Sequence, residues 1–475
     1  MLGHSMAPRR ALSWVLLVAG FAAFGACHRK REPLGAVKRS EVAMTSASVG
    51  QAVPAEKLVA ATFRFRIGVY HAEEPTINVA KELQALAHAA QFAVVTDDRV
   101  AKPATASTSV RLTTPTIEQY EPPSEQLLES ESRGLNAEDQ RALRASRAAT
   151  VLEFSGPGEN AIAAYKKALE LTLALAKKIG GYLWDDETRN AFTVASFQAR
   201  LEDWKEPPVV SRHVTLHLYR EGDLLRIVSL GMVKFGLPDV AVRHVSSSNS
   251  SSMATLVNFV CQSLLERGKL DREGILIAAL GAIQQPTARD QFSANLKANA
   301  KRVVEVALTK AVPEEGDAEN RLIELAFPGP VDTLQERHNQ TLTALFGSED
   351  SITHVAHNAE LLAASERARK KAFELRPRFA KSPPVGEELL VKAPFATPAG
   401  NNEWMWVEVV RWDGDTIHGI LANDPFEVPG LKAGARVDVK ADEIFDYILK
   451  DRKGTTEGNS TGAILERLQS AKKTN

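Results

Sequence analysis

Two consecutive prolines, Pro383 and Pro384, mark the point at which the hydrophobic pattern of this sequence changes. From about residue 60 up to these prolines, short alternating segments are interleaved with longer stretches in which apolar residues recur at helical spacing. Beyond them, short alternating segments separated by Gly and Pro predict β-strands joined by tight turns. The first part therefore predicts an α+β fold, with an antiparallel or mixed sheet packed with helices. The second part predicts a small β-barrel-like module.

The composition is that of a soluble globular protein with hydrophobic cores. Of the 475 residues, 44% are hydrophobic and 25% are charged, which excludes a disordered scaffold, a collagen-like chain and a protein with many membrane-spanning helices. A chain of this length is expected to contain about three domains. Lys and Arg number 58, and Asp and Glu number 59, so the formal net charge is -1. Nucleic-acid-binding domains normally carry a clear basic excess, and we therefore expect no nucleic-acid partner.

An apolar segment near the N-terminus ends at a cysteine. Two arginines precede this segment, which runs from Ala11 to Ala26 and is followed by Cys27. It is shorter than the ~20 residues of a membrane-spanning helix, but it has the length of the apolar core of a signal peptide. With its small residues before the cysteine, Phe24-Gly25-Ala26-Cys27 resembles a bacterial lipoprotein processing site. This resemblance implies that residues 1–26 are removed as a signal peptide and that the thiol of Cys27 is lipidated.

A lipidated Cys27 would hold the folded part of the chain at a membrane. Residues 27–57 are rich in Ala, Ser and Val and would form the tether, so we expect a cell-envelope protein that faces the periplasm or the exterior. The basic residues Arg29, Lys30 and Arg31 count against export, because positive charge just beyond an apolar segment resists translocation. Two alternatives therefore stay open: an uncleaved N-terminal anchor, and a cytosolic protein whose start is misassigned.

The pattern divides the folded part into four segments. Residues 58–120 begin with a strand and a helix and predict a small α/β segment, and residues 121–148 predict a connector. Residues 149–380 predict the main α+β domain, with a hairpin around Glu221-Gly222. Residues 386–468 predict the β module. Within the main domain, a helix is expected near residues 287–311, where five apolar residues recur at helical spacing: Phe292, Leu296, Ala300, Val303 and Ala307.

The β module contains a series of short motifs in a specific order. These are Met405-Trp406-Val407, Asp413-Gly414-Asp415, Gly419 to Pro425, Gly434-Ala435-Arg436-Val437 and Ile444-Phe445-Asp446-Tyr447. Over residues 386–468 they resemble the YegJ-like bacterial family, domain of unknown function 2314. The segments from Leu183 to Arg189 and from Leu230 to Asp239 also resemble regions that precede this module in longer proteins. The family has no established activity, so the resemblance implies a module and not a mechanism.

Asp185, Asp186 and Glu187 form an acidic triple just after a predicted strand. Carboxylates grouped at the end of a strand could hold Mg²⁺ or Ca²⁺, which prefer oxygen ligands. The alternative is the start of a helix, where acidic residues stabilise the free N–H groups of the first turn. The helix start is the commoner case, and the sequence therefore predicts no defined metal site and no cofactor.

Three tryptophans cluster near the start of the β module. Trp404 and Trp406 alternate on one face of a predicted strand, and Trp412 closes the same hairpin. Exposed indole rings would form a binding surface on which sugars, peptides or apolar groups could stack. Buried, the same rings would be the core of a small barrel. We expect at least one face of the hairpin to be buried, and the exposed binding surface stays open as the alternative.

The sequence begins with a segment that resembles a lipoprotein signal peptide, and it contains no recognisable catalytic motif. We therefore expect a non-catalytic binding or interaction protein, held at the membrane through a lipid anchor. Its expected partner is an unknown protein or an envelope polymer. The first alternative is a metal-assisted hydrolase that uses Asp185, Asp186 and Glu187, and the second is a cytosolic stress or immunity-type protein.

Overall fold

The computed structural model describes residues 50–473, apart from residues 57, 96–106, 132–134, 298, 318, 331–332, 348–358, 399–401 and 452–455. The predicted signal peptide, Cys27 and most of the predicted tether lie outside the described residues. Within the described part, eighteen strands form three six-stranded sheets, accompanied by eleven α-helices, which confirms the α+β class. None of these described helices combines the length and the apolar character that a membrane crossing requires.

The first sheet, sheet I, lies at the N-terminal end of the described chain. Its strands are β1 (Thr62–His71), β2 (Ala93–Val95), β3 (Ser109–Thr113), β4 (Ala148–Pro157), β5 (Tyr182–Asp185) and β6 (Asn190–Thr193). Their order across the sheet is β2-β3-β4-β1-β5-β6. The helices of this part are α1 (Val79–Ala90), α2 (Glu125–Glu131), α3 (Ala137–Arg144), α4 (Ala161–Ile179) and α5 (Val194–Glu202).

The centre of sheet I is the antiparallel pair β1 and β4, which are matched along the whole length of both strands. Phe65 of β1 stacks on Phe154 of β4 with ring centroids 5.3 Å apart, whereas Arg64 lies exposed on the other face. This pairing crosses the boundary predicted between residues 58–120 and residues 149–380. The apolar faces of the two strands complete one buried surface, so the two segments build a single sheet.

The second sheet, sheet II, is mixed, which is one of the two arrangements that the sequence predicted. Its strands are β7 (Thr215–Glu221), β8 (Leu224–Leu230), β9 (Asp239–Val245), β10 (Ile275–Ala279), β11 (Val303–Lys310) and β12 (Leu322–Ala326), in the order β10-β11-β12-β9-β8-β7. β9 and β12 pair in parallel, and β7 and β8 form the expected hairpin around Gly222. The helices of this part are α6 (Val210–His213), α7 (Ser250–Arg267), α8 (Pro286–Ser293) and α9 (Leu334–Phe346).

The helix predicted near residues 287–311 is wrong over most of its length. The helix α8 ends at Ser293, and the last third of the range forms the strand β11, which pairs with β10 on one side and β12 on the other. Val303, Val304 and Val306 explain the difference, because β-branched residues favour a strand that has partners on both sides. Helical spacing of apolar residues in this segment was therefore coincidental.

The third sheet, sheet III, forms the C-terminal part of the protein. Its strands are β13 (Glu388–Ala396), β14 (Asn402–Asp413), β15 (Thr416–Leu421), β16 (Arg436–Lys440), β17 (Asp446–Lys450) and β18 (Thr456–Gly458), in the order β16-β15-β14-β13-β17-β18. The helices α10 (Ala359–Phe379) and α11 (Ser460–Lys473) accompany it. Among the described residues, β16 and β18 lie at opposite edges and do not pair, so the sheet stays open. The expected barrel-like closure is therefore not found.

Sheets I and II share one hydrophobic core, and sheet III has its own. Phe65 of sheet I and Ile227 of sheet II belong to the first core, whereas Ala368 and Ala372 of α10 pack with Val407 of β14 in the second. The helix α10 therefore belongs with sheet III, although the sequence placed residues up to 380 in the main domain. We call the part built on sheets I and II the main body, and the part built on α10, sheet III and α11 the module.

Candidate functional site

The first residue of the acidic triple, Asp185, is buried at the junction of sheets I and II. Its carboxylate lies 2.7 Å from the ammonium of Lys234 and 3.7 Å from the guanidinium of Arg200. Lys234 comes from the short 3₁₀ turn between β8 and β9, and it is completely buried. Burial disfavours the charged carboxylate, but Lys234 and Arg200 outweigh it and hold the pKa of Asp185 below its ordinary value. Asp185 is thus one half of a buried ion pair.

The other two carboxylates of the triple have different partners. Asp186 lies 2.8 Å from the guanidinium of Arg66 and accepts a hydrogen bond from the hydroxyl of Tyr120. Glu187 accepts a 3.3 Å hydrogen bond from the backbone N–H of Arg66, and burial raises its pKa to about 7. Within the described residues, no three His, Cys, Asp or Glu side chains are arranged to hold a metal ion. The triple ends β5 and enters the turn to β6, so the expected helix start at these residues is wrong. Asp185 and Asp186 form ion pairs, and Glu187 accepts a hydrogen bond from the backbone.

Further polar side chains of the main body surround the buried ion pair. The ammonium of Lys234 lies 5.2 Å from the ring centroid of Tyr165, and the Tyr165 hydroxyl is 3.3 Å from Nδ1 of His213. Arg200 donates a 3.1 Å hydrogen bond to the same hydroxyl. Because Lys234 and His213 are shielded from solvent, this cluster links the two sheets and does not open to a substrate. No motif in the sequence singled out Lys234 or Arg200.

The two sequence segments that resemble regions upstream of the module meet in this cluster. Asp185 belongs to the segment from Leu183 to Arg189, and Lys234 belongs to the segment from Leu230 to Asp239. Gly231 permits the contact, because its φ of 113° suits glycine and an added Cβ would lie 2.7 Å from the methyl group of Thr188. One signal was present in the sequence: Lys234 is a single cation within an otherwise apolar run.

An open cavity of about 620 Å³ lies between the start of β1, the 3₁₀ turn and the segment before β12. Its polar lining includes Glu314, Asp317 and Arg321. The carboxylate of Asp317 is paired with the buried Arg226 at 2.9 Å, and Glu314 is paired with Arg243. Arg321 donates to two backbone carbonyl oxygens. The charged groups named here are therefore engaged within the protein, and the cavity has no arrangement that indicates a particular reaction.

The three tryptophans of the module do not form one surface. A β-bulge between Val409 and Arg411 shifts the register of β14, so Trp412 points toward α10. There it is only 1% exposed, and its ring centroid lies 5.6 Å from that of Phe373. Trp404 and Trp406 lie on the opposite face of β14, where both are partly exposed. Trp412 is thus a core residue, and the other two lie on the outer face of sheet III.

Trp404 and Trp406 are held by neighbours on the same face. The ring of Trp404 packs against that of Phe445 at 4.5 Å, and the ammonium of Lys392 lies 5.6 Å from the centroid of Trp406. Lys392 stands directly opposite Trp406 in the pairing of β13 with β14. Burial lowers the pKa of Lys392, and the carboxylate of Asp446 opposes this effect. We call Trp404, Trp406 and Lys392 the aromatic surface.

Beyond Trp406, the same face of β14 is covered by the main body. Glu408, two residues beyond Trp406, is buried and accepts hydrogen bonds from the backbone N–H groups of Ser247 at 2.6 Å and Ser248 at 3.1 Å. Farther along the strand, Val410 packs against Leu224 of the main body. Glu408 therefore separates a covered part of the face from the partly exposed aromatic surface. The sequence analysis did not identify this role of Glu408.

Comparison with known proteins is informative for the module alone. No curated protein and no solved structure matches the chain. Residues 358–475 match the family described as uncharacterized protein conserved in bacteria, DUF2314. This match confirms the resemblance of residues 386–468 and extends it over α10, in agreement with the packing of α10 on sheet III. The C-terminal part of this chain is thus similar to the DUF2314 family of uncharacterized bacterial proteins.

Proposed function

We propose that this protein is a cell-envelope lipoprotein that binds its partner without catalysis, through the aromatic surface of the module. The observation that supports this proposal most directly is the partial exposure of Trp404 and Trp406 beside the junction with the main body. Alternate residues of a strand lie roughly 7 Å apart, so the two indole rings offer neighbouring stacking positions.

The chemistry of the aromatic surface suits an envelope polymer. Indole rings stack on the apolar faces of sugar rings and on apolar side chains, and the ammonium of Lys392 adds attraction for carboxylates. Peptidoglycan combines both features, because it consists of sugar chains that carry short acidic peptides. We therefore propose peptidoglycan as the class of partner.

Co-sedimentation with purified peptidoglycan sacculi tests this proposal. We expect the full-length protein to sediment with sacculi, and the double variant Trp404→Ala/Trp406→Ala to bind at least about tenfold more weakly, as is typical of buried aromatic contacts. The matched control is Leu362→Ala, because Leu362 is 48% exposed on α10, on the other side of sheet III. The single variant Trp406→Leu, which keeps an apolar side chain but removes the flat ring, should also weaken binding.

Two results would overturn the proposed binding function. One is the absence of sedimentation of the wild-type protein with sacculi. The other is unchanged binding by both tryptophan variants, provided that circular dichroism and the Tm show that they are folded. Loss of binding in Leu362→Ala to the same extent would likewise assign the effect to the fold and not to the aromatic surface.

Membrane fractionation of the wild type and of Cys27→Ala tests the proposed location in the cell envelope. We expect the wild type to be acylated, membrane-bound and cut by protease added to intact spheroplasts. The variant should lose acylation or retain its signal peptide. If both forms are soluble and protected, the envelope location is wrong and the cytosolic alternative is favoured.

A further inference from the structure

The helix α10 has one buried face and one basic face. Ala364, Ala368, Ala372 and Phe379 are buried on the side toward sheet III. Arg367, Lys370, Lys371 and Arg378 are all exposed, and with 3.6 residues per turn they fall within an arc of about 100° next to the buried face. The exposed Glu374 lies within the same arc. Arg367 and Arg378 are eleven residues apart, so this row of cations is about 17 Å long.

The cations of this segment outnumber its acids. Residues 366–381 contain seven Lys or Arg and two Glu, in a chain whose net charge is -1. Lys371 is paired with Glu374, and Arg378 is paired with Glu387. No ion pair joins Arg367 or Lys370 to a described carboxylate. The exposed side of α10 is therefore a local excess of positive charge that the protein itself neutralises only in part.

We propose that this basic face of α10, made of Arg367, Lys370, Lys371 and Arg378, docks on the anionic headgroups of a phospholipid bilayer. A row of cations along a helix suits a flat surface of negative charge, because each Lys or Arg near such a surface is attracted to the anionic headgroups.

A membrane fits this face better than a nucleic acid does. Proteins that bind single-stranded nucleic acids combine cations with exposed aromatic rings, on which the bases stack. The aromatic residues of α10 point the other way, since Phe373 packs against Trp412 and Phe379 is fully buried. The basic face also lies across sheet III from Trp404 and Trp406, so docking on a bilayer would leave the aromatic surface accessible.

Vesicle sedimentation tests the proposal with the full-length Cys27→Ala chain, in which no acyl group contributes. We expect binding to vesicles that contain phosphatidylglycerol to exceed binding to pure phosphatidylcholine vesicles, and to fall as salt is added. Arg367→Glu/Lys370→Glu should weaken the binding to phosphatidylglycerol at least about tenfold. The matched control is Lys81→Glu/Lys177→Glu, which changes the net charge equally at exposed positions of α1 and α4.

Three results would overturn this inference: equal binding to both vesicle types, equal losses in both charge-reversal variants, or stronger retention on RNA than on phosphatidylglycerol vesicles. The inference agrees with the proposed envelope location, but its test does not depend on it. Vesicle binding probes α10, whereas sacculus binding probes the aromatic surface on the opposite side of sheet III. Failure of one test therefore leaves the other proposal standing.

Discussion

The carboxylate of Glu408 in the module accepts a 2.6 Å hydrogen bond from the backbone N–H of Ser247 in the main body. The backbone N–H and the hydroxyl of Ser248 donate to the same carboxylate. These serines lie just before α7, where backbone N–H groups are not used within the helix and attract negative charge. Burial raises the pKa of Glu408, and the serine donors oppose this effect. The buried carboxylate of Glu408 thus joins the module to the main body, in addition to the apolar contact of Val410 with Leu224.

We expect Glu408→Ala to loosen the docking of the module. The substitution leaves two backbone N–H donors without an acceptor, which costs about 1–3 kcal/mol of unfolding free energy. The direct measurement is hydrogen exchange of the Ser247 and Ser248 amides, which should become faster in Glu408→Ala and less so in Glu408→Gln.

The matched control for this substitution is Glu403→Ala. Glu403 also accepts two backbone N–H groups, those of Phe426 and Glu427 at 2.8 Å each, but all three residues lie within the module. Its loss should leave exchange at Ser247 and Ser248 unchanged. Unaltered exchange at both serines in Glu408→Ala would show that other contacts suffice to hold the junction.

A double-mutant cycle should reveal the coupling of Asp185 and Lys234. Because each is buried, Asp185→Leu or Lys234→Met alone leaves a charge without its nearest partner, and we expect each to lower the unfolding free energy by about 3–5 kcal/mol. The double variant should lose much less than the sum of the two, since it removes both charges together. Urea denaturation measures all four proteins. Additive losses would mean that the pair is not coupled.

The same ion pair makes a prediction about metal ions. Since Lys234 and Arg200 already neutralise Asp185, we expect Mg²⁺, Ca²⁺ or Zn²⁺ to leave the Tm of the wild type unchanged. The control is the double variant Asp185→Leu/Lys234→Met. A rise in Tm for the wild type that this variant abolishes would support the metal-assisted hydrolase alternative.

Glu187 should make the protein less stable as the pH rises from about 4.5 to about 7. Burial raises its pKa from 4.5 to about 7 in the folded state, so the folded protein keeps a proton that the unfolded chain releases in this range. Stability is therefore lost as the pH rises through this window, by about 1–3 kcal/mol for a partly buried group. Glu187→Gln should remove this component of the pH dependence, and Glu170→Gln, at an exposed position, should not. Parallel pH profiles for the wild type and Glu187→Gln would contradict the assignment.

Local patterns in the sequence were sufficient to predict those helices and strands whose defining residues and partners lie close together in the chain. The hairpin of β7 and β8 turns at Gly222 as the sequence predicted, and the helix α4 ends at Ile179, directly before Gly180 and Gly181. In these cases the spacing of apolar residues and the turn residues lie within one short segment. The motif order of the module was informative for the same reason, and the family match confirms it.

The sequence could not indicate contacts that depend on distant segments. The pairing of β1 with β4 joins strands separated by α1 and the connector, and no local period encodes which strands become neighbours. The contact of Asp185 with Lys234 depends on that assembly. In β14, a single bulge moves Trp412 to the face opposite Trp406, because the side-chain period of a strand is two and one extra residue inverts it. The aromatic surface was therefore only partly predictable.

His338 of α9 should limit the stability of the protein in acid. Its ring is fully buried against Phe327 at 4.3 Å, and neither ring nitrogen has a hydrogen-bond partner within the described structure. Burial is the main cause that lowers its pKa from 6.5 to about 3, and the positive charge of Arg337 adds to it. Below about pH 6.5 the unfolded chain therefore binds a proton at His338 that the folded protein does not bind. The free energy of unfolding consequently decreases as the pH falls from about 6.5 toward about 3.

We expect His338→Leu to raise the unfolding free energy by about 1 kcal/mol at pH 7, because it removes a buried polar group that lacks partners. Between pH 7 and pH 5 the variant should lose about 2 kcal/mol less than the wild type, since one titrating group is gone. Urea denaturation at the two pH values measures both effects, with His88→Leu as the control at an exposed position of α1. A destabilised His338→Leu at pH 7 would mean that the imidazole has a favourable polar contact in solution, and the acid dependence would then have to come from other groups.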